Sequence, residues 1–368
     1  MPSDDFLSGL NPAQAEAVVH PGGPLLVVAG AGSGKTRVLT HRIAHLIDAR
    51  SVSPYNILAI TFTNKAANEM KERVARLVGP VANKMWISTF HSACVRILRR
   101  HADSIGYPTA FTIYDQADAV RLTGYVIRDL NINPKQFVPR SVHAAISAAK
   151  NDGIDAFDYA ERASVIHERR IAEVYDEYQR RLKAAGAMDF DDLLALTVEL
   201  FRVDNGVLEH YQDRFTHVLV DEYQDTNVVQ NDLVMLLAEK HRNVCVVGDT
   251  DQSIYAFRGA DMRNILDFEN AFPDATVVVL EQNYRSTQTI LDAANAVISH
   301  NSSRKPKDLW TDSGKGDPIT KFFAEDGDDE AQWVCRELAR LHEGGDKRWS
   351  DMAIFYRTNA QSRVMEEQ

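Results

Sequence analysis

Cysteine is scarce in this chain of 368 residues, which contains three: Cys94, Cys245 and Cys335. No two of them have the Cys-x-x-Cys spacing of zinc or redox motifs, so the sequence offers neither a disulfide framework nor a zinc site. Residues 1–5 are acidic and lack the basic region with which a secretory signal peptide begins. We therefore expect reduced thiols and a cytoplasmic protein.

Long apolar runs are also lacking, since no segment approaches the roughly 20 apolar residues that a membrane helix requires. We expect no membrane association. Acidic residues outnumber basic ones, since the chain has 52 Asp and Glu residues and 41 Lys and Arg residues. Its formal net charge is therefore −11. This balance argues against general polyanion binding, although a total does not exclude a local basic groove. The length predicts about two to three domains.

Short apolar segments rich in β-branched residues alternate with helix-like patterns in two parts of the chain. This alternation predicts a parallel sheet covered by helices on both faces, which is an α/β fold. The predicted strands are residues 25–29, 57–63, 85–90, 217–221, 243–248 and 276–280.

The alternation stops between about residues 91 and 212, where helix-period apolar positions recur at 166–182 and 190–201. We interpret 91–212 as a mostly helical subdomain inserted into the first α/β domain. That domain would comprise residues 1–90 and 213–280.

A further unit is predicted at 281–368, with a helix at 287–300, a strand at 352–356 and a final helix at 362–368. These elements are too few for a closed domain. We therefore expect the chain to stop partway through a second α/β unit.

A phosphate-binding loop is the clearest motif. Residues 29–36 read Ala-Gly-Ala-Gly-Ser-Gly-Lys-Thr, directly after the apolar run 24–28. In such a strand–loop–helix unit, backbone N–H groups point at phosphate oxygens and the helix N-terminus favours the anion. A glycine-rich turn that binds nothing is the alternative, and the Lys-Thr pair argues against it. The predicted nucleotide-binding residues are Gly30, Ala31, Gly32, Ser33, Gly34, Lys35 and Thr36.

Two carboxylates, Asp221 and Glu222, follow the predicted strand at 217–221. Because the carboxyl ends of parallel strands meet at one edge of a sheet, both should lie beside the phosphate-binding loop. Asp221, with the Thr36 hydroxyl, can hold Mg²⁺, and Glu222 can polarise the attacking water as a general base. A solvent-exposed charge at a helix N-terminus is the alternative for Glu222.

Another predicted strand end is followed by Gln252 and then by Tyr255, Phe257 and Arg258. Gln252 is in a position to sense the γ-phosphate. Aromatic rings and a guanidinium plane are surfaces on which unpaired bases stack. A Phe257 packed into the core is the alternative.

Taken in order, these segments resemble the superfamily 1 DNA helicases of the UvrD/PcrA/Rep type over essentially the whole chain. The resemblance implies a RecA-like P-loop NTPase domain, the helical insertion and the start of a second RecA-like domain. The matching motifs are 10–14 (the adenine-reading Q motif), 61–67 (Ia), 88–92 (Ib), 189–193 (a further family motif), 221–225 (II), 282–287 (IV) and 355–363 (a stretch of the second motor domain).

The resemblance implies further roles at the ATP site. Gln14 would hydrogen-bond the adenine, Tyr284 would support its face, and Arg37 would lie near the nucleotide. Gln252 would couple the γ-phosphate to the DNA. Arg285 would be a catalytic arginine finger, where a surface salt bridge is the more common use of an arginine.

The resemblance also implies a path for single-stranded DNA across both motor domains. Phe257 stands where many relatives carry tryptophan, so it offers a smaller ring for stacking. The residues implied are Phe62, His91, Tyr255, Phe257, Arg258 and Asn359.

The implied function is that of an ATP-dependent DNA helicase or single-stranded DNA translocase with 3′-to-5′ polarity, acting in DNA repair or replication. ATP and Mg²⁺ would be its cofactors; single-stranded DNA, single/double-strand junctions and repair or replication proteins would be its partners. Relatives continue with the 2B insertion and motifs V and VI, so we expect a truncated chain that binds ATP weakly and unwinds poorly. The motor part of a helicase–nuclease subunit and a non-catalytic, nucleotide-gated DNA-binding module are alternatives.

Overall fold

The computed structural model describes residues 4–302, 304–345 and 347–368. The chain divides into two compact units, Met1–Gly314 and Lys315–Gln368. No helix in the described part of the chain combines the length and the apolar character needed to cross a bilayer.

The first unit contains a parallel sheet with the strand order β3-β2-β6-β7-β1-β8, and a separate parallel pair, β4-β5. The predicted α/β fold is thus confirmed, with the predicted strands shortened by one or two residues at some ends. The strands are β1 Leu25–Ala29, β2 Ile57–Thr61, β3 Trp86–Thr89, β4 Thr112–Tyr114, β5 Ala187–Asp189, β6 His217–Val220, β7 Val244–Gly248 and β8 Thr276–Leu280.

Helices cover both faces of the sheet and, apart from the short strands β4 and β5, make up the regular structure of the segment between β3 and β6. In the described part of the chain the α-helices are α1 Pro12–Val19, α2 Lys35–Asp48, α3 Asn64–Val78, α4 Phe90–His101, α5 Gln116–Asp129, α6 Pro139–Asn151, α7 Ala156–Arg162, α8 Ile166–Ala184, α9 Phe190–Val203, α10 Asn205–Arg214, α11 Val228–Ala238, α12 Arg263–Leu266, α13 Phe268–Ala271, α14 Gln288–Ile298, α15 Gly327–Glu343 and α16 Ser362–Glu367.

Strand β1 shows why the sheet must be covered on both faces. Its five residues are all buried. Leu26 and Val28 belong to one apolar core, and Leu25, Val27 and Ala29 belong to the core on the opposite face. Alternate side chains of a strand point to opposite faces, so an all-apolar strand of this kind requires helices on each side.

The segment between β3 and β6 contributes to two cores. Helices α5, α6 and α8 surround a core of their own, which includes Val126, Ile146 and Tyr178. Helix α9 instead packs into the core of the large sheet through residues such as Leu193 and Phe201. Helix α9, like α4 and α10, therefore connects the segment between β3 and β6 to the core of the large sheet.

The second unit contains α15 and α16, and it corrects one prediction. Residues 352–356, predicted as a strand, form no strand, and Ile354, Phe355 and Tyr356 are exposed. A strand needs a neighbour to satisfy its backbone N–H and C=O groups. The described part of this unit provides no strand as a partner.

Candidate functional site

The loop between β1 and α2 has the backbone of an anion cradle. Gly32 and Gly34 have left-handed φ angles of 65° and 91°, which glycine adopts without the steric cost of a side chain. Helix α2 begins at Lys35, directly after Gly34. The Ser33 hydroxyl donates to the Gly30 carbonyl over 2.7 Å and braces the turn. The positive end of the α2 dipole therefore lies where the loop curls.

Polar side chains from three strand ends meet at this loop. Lys35 Nζ lies 2.7 Å from Glu222 Oε2 and 3.4 Å from Gln252 Oε1. The Thr36 hydroxyl donates to Asp221 Oδ2 over 3.3 Å. These residues follow β1, β6 and β7, whose carboxyl ends meet at one edge of the sheet. Glu222 and Gln252 surround the ammonium group of Lys35, and Asp221 meets the neighbouring Thr36.

The backbone and hydrogen bonds of Glu222 direct its carboxylate into the site. Glu222 has a φ angle of 51°, an uncommon conformation for a residue with a side chain. Its carboxylate accepts hydrogen bonds from Lys35 and, over 2.9 Å, from Gln224 Nε2. It makes no capping bond to the short helical turn that follows. The carboxylate is therefore a member of the site rather than a helix cap.

Burial perturbs the acids of this site. Asp221 is almost fully buried, and burial together with the charge of Glu222 raises its pKa to about 6. The same two causes raise the pKa of Asp225 to about 6. A cation close to either carboxyl group would lower its pKa again, because a positive charge favours the ionised carboxylate.

A divalent cation fits this donor set. Asp221 and Thr36 supply oxygen ligands of the kind that Mg²⁺ prefers, and Mg²⁺ commonly takes one or two protein ligands with substrate phosphates. Among the described residues there is no group of three or more His, Cys, Asp and Glu side chains able to hold a metal by itself. Metal binding at this site would thus depend on the phosphates.

Gln14 is buried against the loop. Its Nε2 donates to the Ser33 carbonyl over 2.8 Å, and its Oε1 accepts from the Asn11 N–H over 3.1 Å in a capping box of α1. Tyr284 is half exposed nearby and accepts a hydrogen bond from Asn11 Nδ2 over 3.0 Å. Gln14 and Tyr284 are thus linked through Asn11, and their roles towards adenine stay predictions.

The segment after β8 lies directly on the loop. Asn283 Nδ2 donates to the Ala31 carbonyl over 2.6 Å, and the Tyr284 N–H donates to the Gly32 carbonyl over 3.0 Å. Arg285 is exposed beside Gly32 and makes no ion pair with any described residue. Within the described residues, the alternative of a surface salt bridge for Arg285 thus has no acidic partner. Arg37 is exposed in the first turn of α2.

An aromatic surface adjoins the site. Phe62 and Tyr255 stack with ring centres 5.8 Å apart, and Phe257 lies 6.1 Å from Tyr255. Phe257 is 78% exposed, so it is not a core residue. His91 contacts Phe190 edge to face at 6.1 Å, and burial lowers its pKa, which favours the neutral ring.

Two predicted DNA contacts cannot be joined to this surface. The side chain of Arg258 lies outside the described residues, although its backbone ends the turn Ala256–Arg258. Asn359 is exposed and belongs to the second unit.

Sequence reasoning missed two features. Phe190 is half exposed at the start of α9, next to His91. It lies within the quoted motif 189–193, where an aromatic between acidic residues was a usable signal. The second feature is Lys307, which is buried with Asp249. The basic run at 304–307 contained it, but periodicity does not distinguish a buried lysine from an exposed one.

Strand-end acids, a glycine loop before a helix and a parallel sheet define the class of α/β phosphate-loop domains. Comparison with protein families assigns the chain more narrowly. The model of the UvrD/REP helicase N-terminal domain matches residues 10–273, and that of the UvrD-like helicase C-terminal domain matches residues 278–368. The chain belongs to the UvrD/REP helicase family, as the sequence motifs predicted.

Curated relatives support the same family. An ATP-dependent DNA helicase PcrA of Staphylococcus aureus is 55% identical over 362 residues, which is 98% of this chain and 50% of the relative. The protein of that name from Bacillus subtilis is 53% identical over 365 residues, covering 99% of this chain and 49% of the relative. The chain thus spans about half the length of the curated relatives it matches.

Proposed function

We propose that this chain provides the ATP-hydrolysing motor of a DNA helicase that moves 3′ to 5′ along single-stranded DNA. The observation that carries the proposal is the meeting of Lys35, Glu222 and Gln252 at the glycine loop, with distances of 2.7 and 3.4 Å from the ammonium group. Phosphoryl transfer requires a cation for phosphate, a base for water and a polar sensor around one point, so this meeting supports the proposal. The PcrA relatives are named ATP-dependent DNA helicases.

The pairing of Lys35 with Glu222 gives a chemical reason why Glu222 would act as a base only when ATP is bound. When phosphates occupy the loop, Lys35 can pair with them instead, which leaves Glu222 to accept a proton from water. Bound Mg²⁺, held by Thr36 and Asp221, would neutralise charge on the phosphates. Arg285, exposed beside Gly32, would add a further positive charge.

The aromatic surface supports the DNA part of the proposal. Phe62, whose ring stacks on Tyr255, follows β2, and Tyr255 and the exposed Phe257 follow β7, the strand that also precedes Gln252. Gln252 lies three residues before Tyr255, so a change at the phosphates can reach the aromatic rings through a short backbone segment. Junction binding, 3′-to-5′ polarity and a role in repair or replication rest on the family resemblance.

Steady-state ATP hydrolysis, measured with and without single-stranded DNA, tests the motor. We expect hydrolysis that DNA stimulates, and we expect Glu222→Gln to lower kcat by about 10²-fold or more while ATP binding persists. Glu173→Gln, an exposed acid on α8, is the control and should behave as the unaltered chain. Unchanged turnover in Glu222→Gln would remove Glu222 from its role.

Equilibrium binding of oligonucleotides tests the aromatic surface. Phe257→Ala should weaken binding of oligo-dT and oligo-dA alike, because stacking contributes about 1–3 kcal/mol per base and tolerates any base. Phe157→Ala removes a similarly exposed phenylalanine from α7 and should leave the affinity unchanged. A loss confined to one base type would contradict the stacking account.

A further inference from the structure

A segment that we call the strap, residues 304–310, crosses the strand ends next to the ATP site. Near its start, the Lys305 N–H donates to the Thr250 hydroxyl over 3.3 Å. At its end, Trp310 exchanges backbone hydrogen bonds with Glu281 and Asn283, with N–O distances of 3.2 and 2.7 Å. The strap is therefore held at both ends within the first unit.

The strap carries a lysine into the interior. Lys307 Nζ lies 2.6 Å from Asp249 Oδ1 and 2.5 Å from Asp251 Oδ2, and the Lys307 and Asp249 side chains are each about 2% exposed. Arg304 closes the cluster by a two-pronged contact with Asp251, at 2.9 and 2.8 Å. Among the described residues, Lys307 is the sole cation paired with Asp249.

The second oxygen of Asp249 leads to the ATP site. Gln252 Nε2 donates to Asp249 Oδ2 over 2.5 Å, and Gln252 Oε1 faces Lys35 Nζ at 3.4 Å. The amide of Gln252 is thus oriented by Asp249, and the carboxylate of Asp249 is oriented by Lys307. The hydrogen bonds form an unbroken sequence from the strap to the lysine of the glycine loop.

This arrangement is physically demanding. A carboxylate and an ammonium group that leave water lose solvation, and their attraction compensates only when the geometry is good and the remaining hydrogen bonds are made. Here Asp249 Oδ1 accepts hydrogen bonds from Lys307 and, over 3.0 Å, from the Asp251 N–H, and Asp249 Oδ2 accepts one from Gln252. Removal of Lys307 would leave a buried negative charge whose nearest mobile donor is the amide of Gln252.

We propose that Lys307 is a positioning residue for ATP hydrolysis, which holds Asp249 so that Gln252 presents its amide oxygen towards Lys35. The proposal rests on the motor function proposed above, because Gln252 matters only if phosphate chemistry occurs at the loop. Lys307 does not touch the nucleotide site itself and acts through Asp249 and Gln252.

The test compares Lys307→Met with Lys305→Met. Lys305 is two residues away on the same strap, and its ammonium group pairs with Glu269 rather than with Asp249. We expect Lys307→Met to lower kcat for DNA-stimulated ATP hydrolysis about tenfold with little change in KM, because orientation rather than binding is lost. Lys305→Met should retain the kcat of the unaltered chain.

A double-mutant cycle separates positioning from general stability. If Lys307 acts through Gln252, Lys307→Met should add nothing to the loss caused by Gln252→Ala. The proposal would be overturned if the losses in kcat caused by the two substitutions multiplied in the double mutant. It would also be overturned if Lys307→Met had the same kcat as Lys305→Met.

Amide hydrogen exchange gives a readout that does not require activity. Faster exchange at residues 249–254 in Lys307→Met, with β1 unchanged, supports the proposal, and unaltered exchange there contradicts it.

If the unaltered chain hydrolyses no ATP, the motor proposal fails while the exchange result still tests the strap. If Lys307→Met does not fold, Arg304→Gln takes its place in both measurements, with smaller effects expected, because it removes the contacts of Arg304 with Asp251 and with the Lys307 carbonyl.

Discussion

At the scale of single residues, Asp221, the proposed ligand of Mg²⁺, occupies an environment that is unfavourable for a carboxylate. It is almost fully buried beside Glu222, and its pKa is raised to about 6 from the 3.8 of a free side chain. A raised pKa in an acid means that folding disfavours its ionised form. Stability is therefore lost as the pH rises through 6 and recovered as the pH falls.

We predict that Asp221→Asn makes the ligand-free chain more stable at neutral pH, by about 2–3 kcal/mol at pH 7.5. The gain should be about half as large at pH 5, where the carboxyl group is mostly protonated in the folded chain. Urea unfolding at both pH values measures the difference. If Asp221→Asn gained the same stability at pH 5 and at pH 7.5, burial of the Asp221 charge would not be the cause of the gain.

Single residues also show what a sequence reveals about a site. The lysine, threonine, acids and glutamine were predictable, because each follows an apolar strand and parallel strands end at one edge. The exposure of Phe257 was not, since an aromatic residue in a loop fits the core equally well. Phe190 was missed because its neighbour His91 is 99 residues away in the chain, and periodicity carries no information at that range.

At the scale of elements, the glycine loop and the segment after β8 fit closely. A Cβ atom built on Gly32 would lie 2.6 Å from Asn283 Nδ2 and 2.8 Å from Arg285 Cβ. The contact with Arg285 Cβ cannot be relieved by rotating a flexible side-chain end. Gly32 is thus required for contact as well as for its left-handed backbone.

We predict that Gly32→Ala destabilises the chain by about 1–3 kcal/mol more than Gly106→Ala, because only Gly32 adds overpacking to backbone strain. Gly106 is the control, with a left-handed φ angle of 77° and only the flexible end of Lys183, at 3.4 Å, near an added Cβ atom. Urea denaturation provides both values. Equal losses of stability in the two variants would mean that the segment after β8 moves away from the added Cβ atom at no cost in free energy.

Elements differ in how far the sequence predicts them. The strand at 25–29 was predictable because its five apolar residues are buried on both faces, which leaves little choice of structure. Residues 352–356 have a similar apolar pattern and form no strand. Local pattern measures the tendency of a segment to pair, whereas a strand also needs a partner in the right place.

At the scale of the whole molecule, a buried ion cluster joins α6 to β5 and α9 within the segment between β3 and β6. Lys150 of α6 contacts Asp189 and Asp192, at 2.8 and 2.7 Å, and Asp192 lies on α9. Burial alone would lower the pKa of Lys150, but the two carboxylates outweigh it and hold the pKa above its usual value. Tyr178 Oη adds a 2.8 Å bond to Asp189.

We predict that Lys150→Met lowers the free energy of unfolding by about 3–5 kcal/mol, because two buried carboxylates lose their cation. Arg170→Met is the control, since Arg170 and Glu173 are each about half exposed and such pairs contribute less than about 1 kcal/mol. Chemical denaturation followed by circular dichroism measures both. A small loss in Lys150→Met would show that water or neighbouring groups compensate for the missing charge.

The strand order has a consequence for how the chain folds. Strand β1 pairs with β7 and β8. Leu25 is in register with Cys245 of β7 and with Thr276 of β8, and both lie more than 200 residues later in the chain. A chain that emerges from the ribosome with its N-terminus first cannot complete these pairs until β8 has been synthesised. The helices between β3 and β6 have a local core and can form earlier. The glycine loop is thus translated well before β7 and β8, the two strands that flank β1 in the sheet.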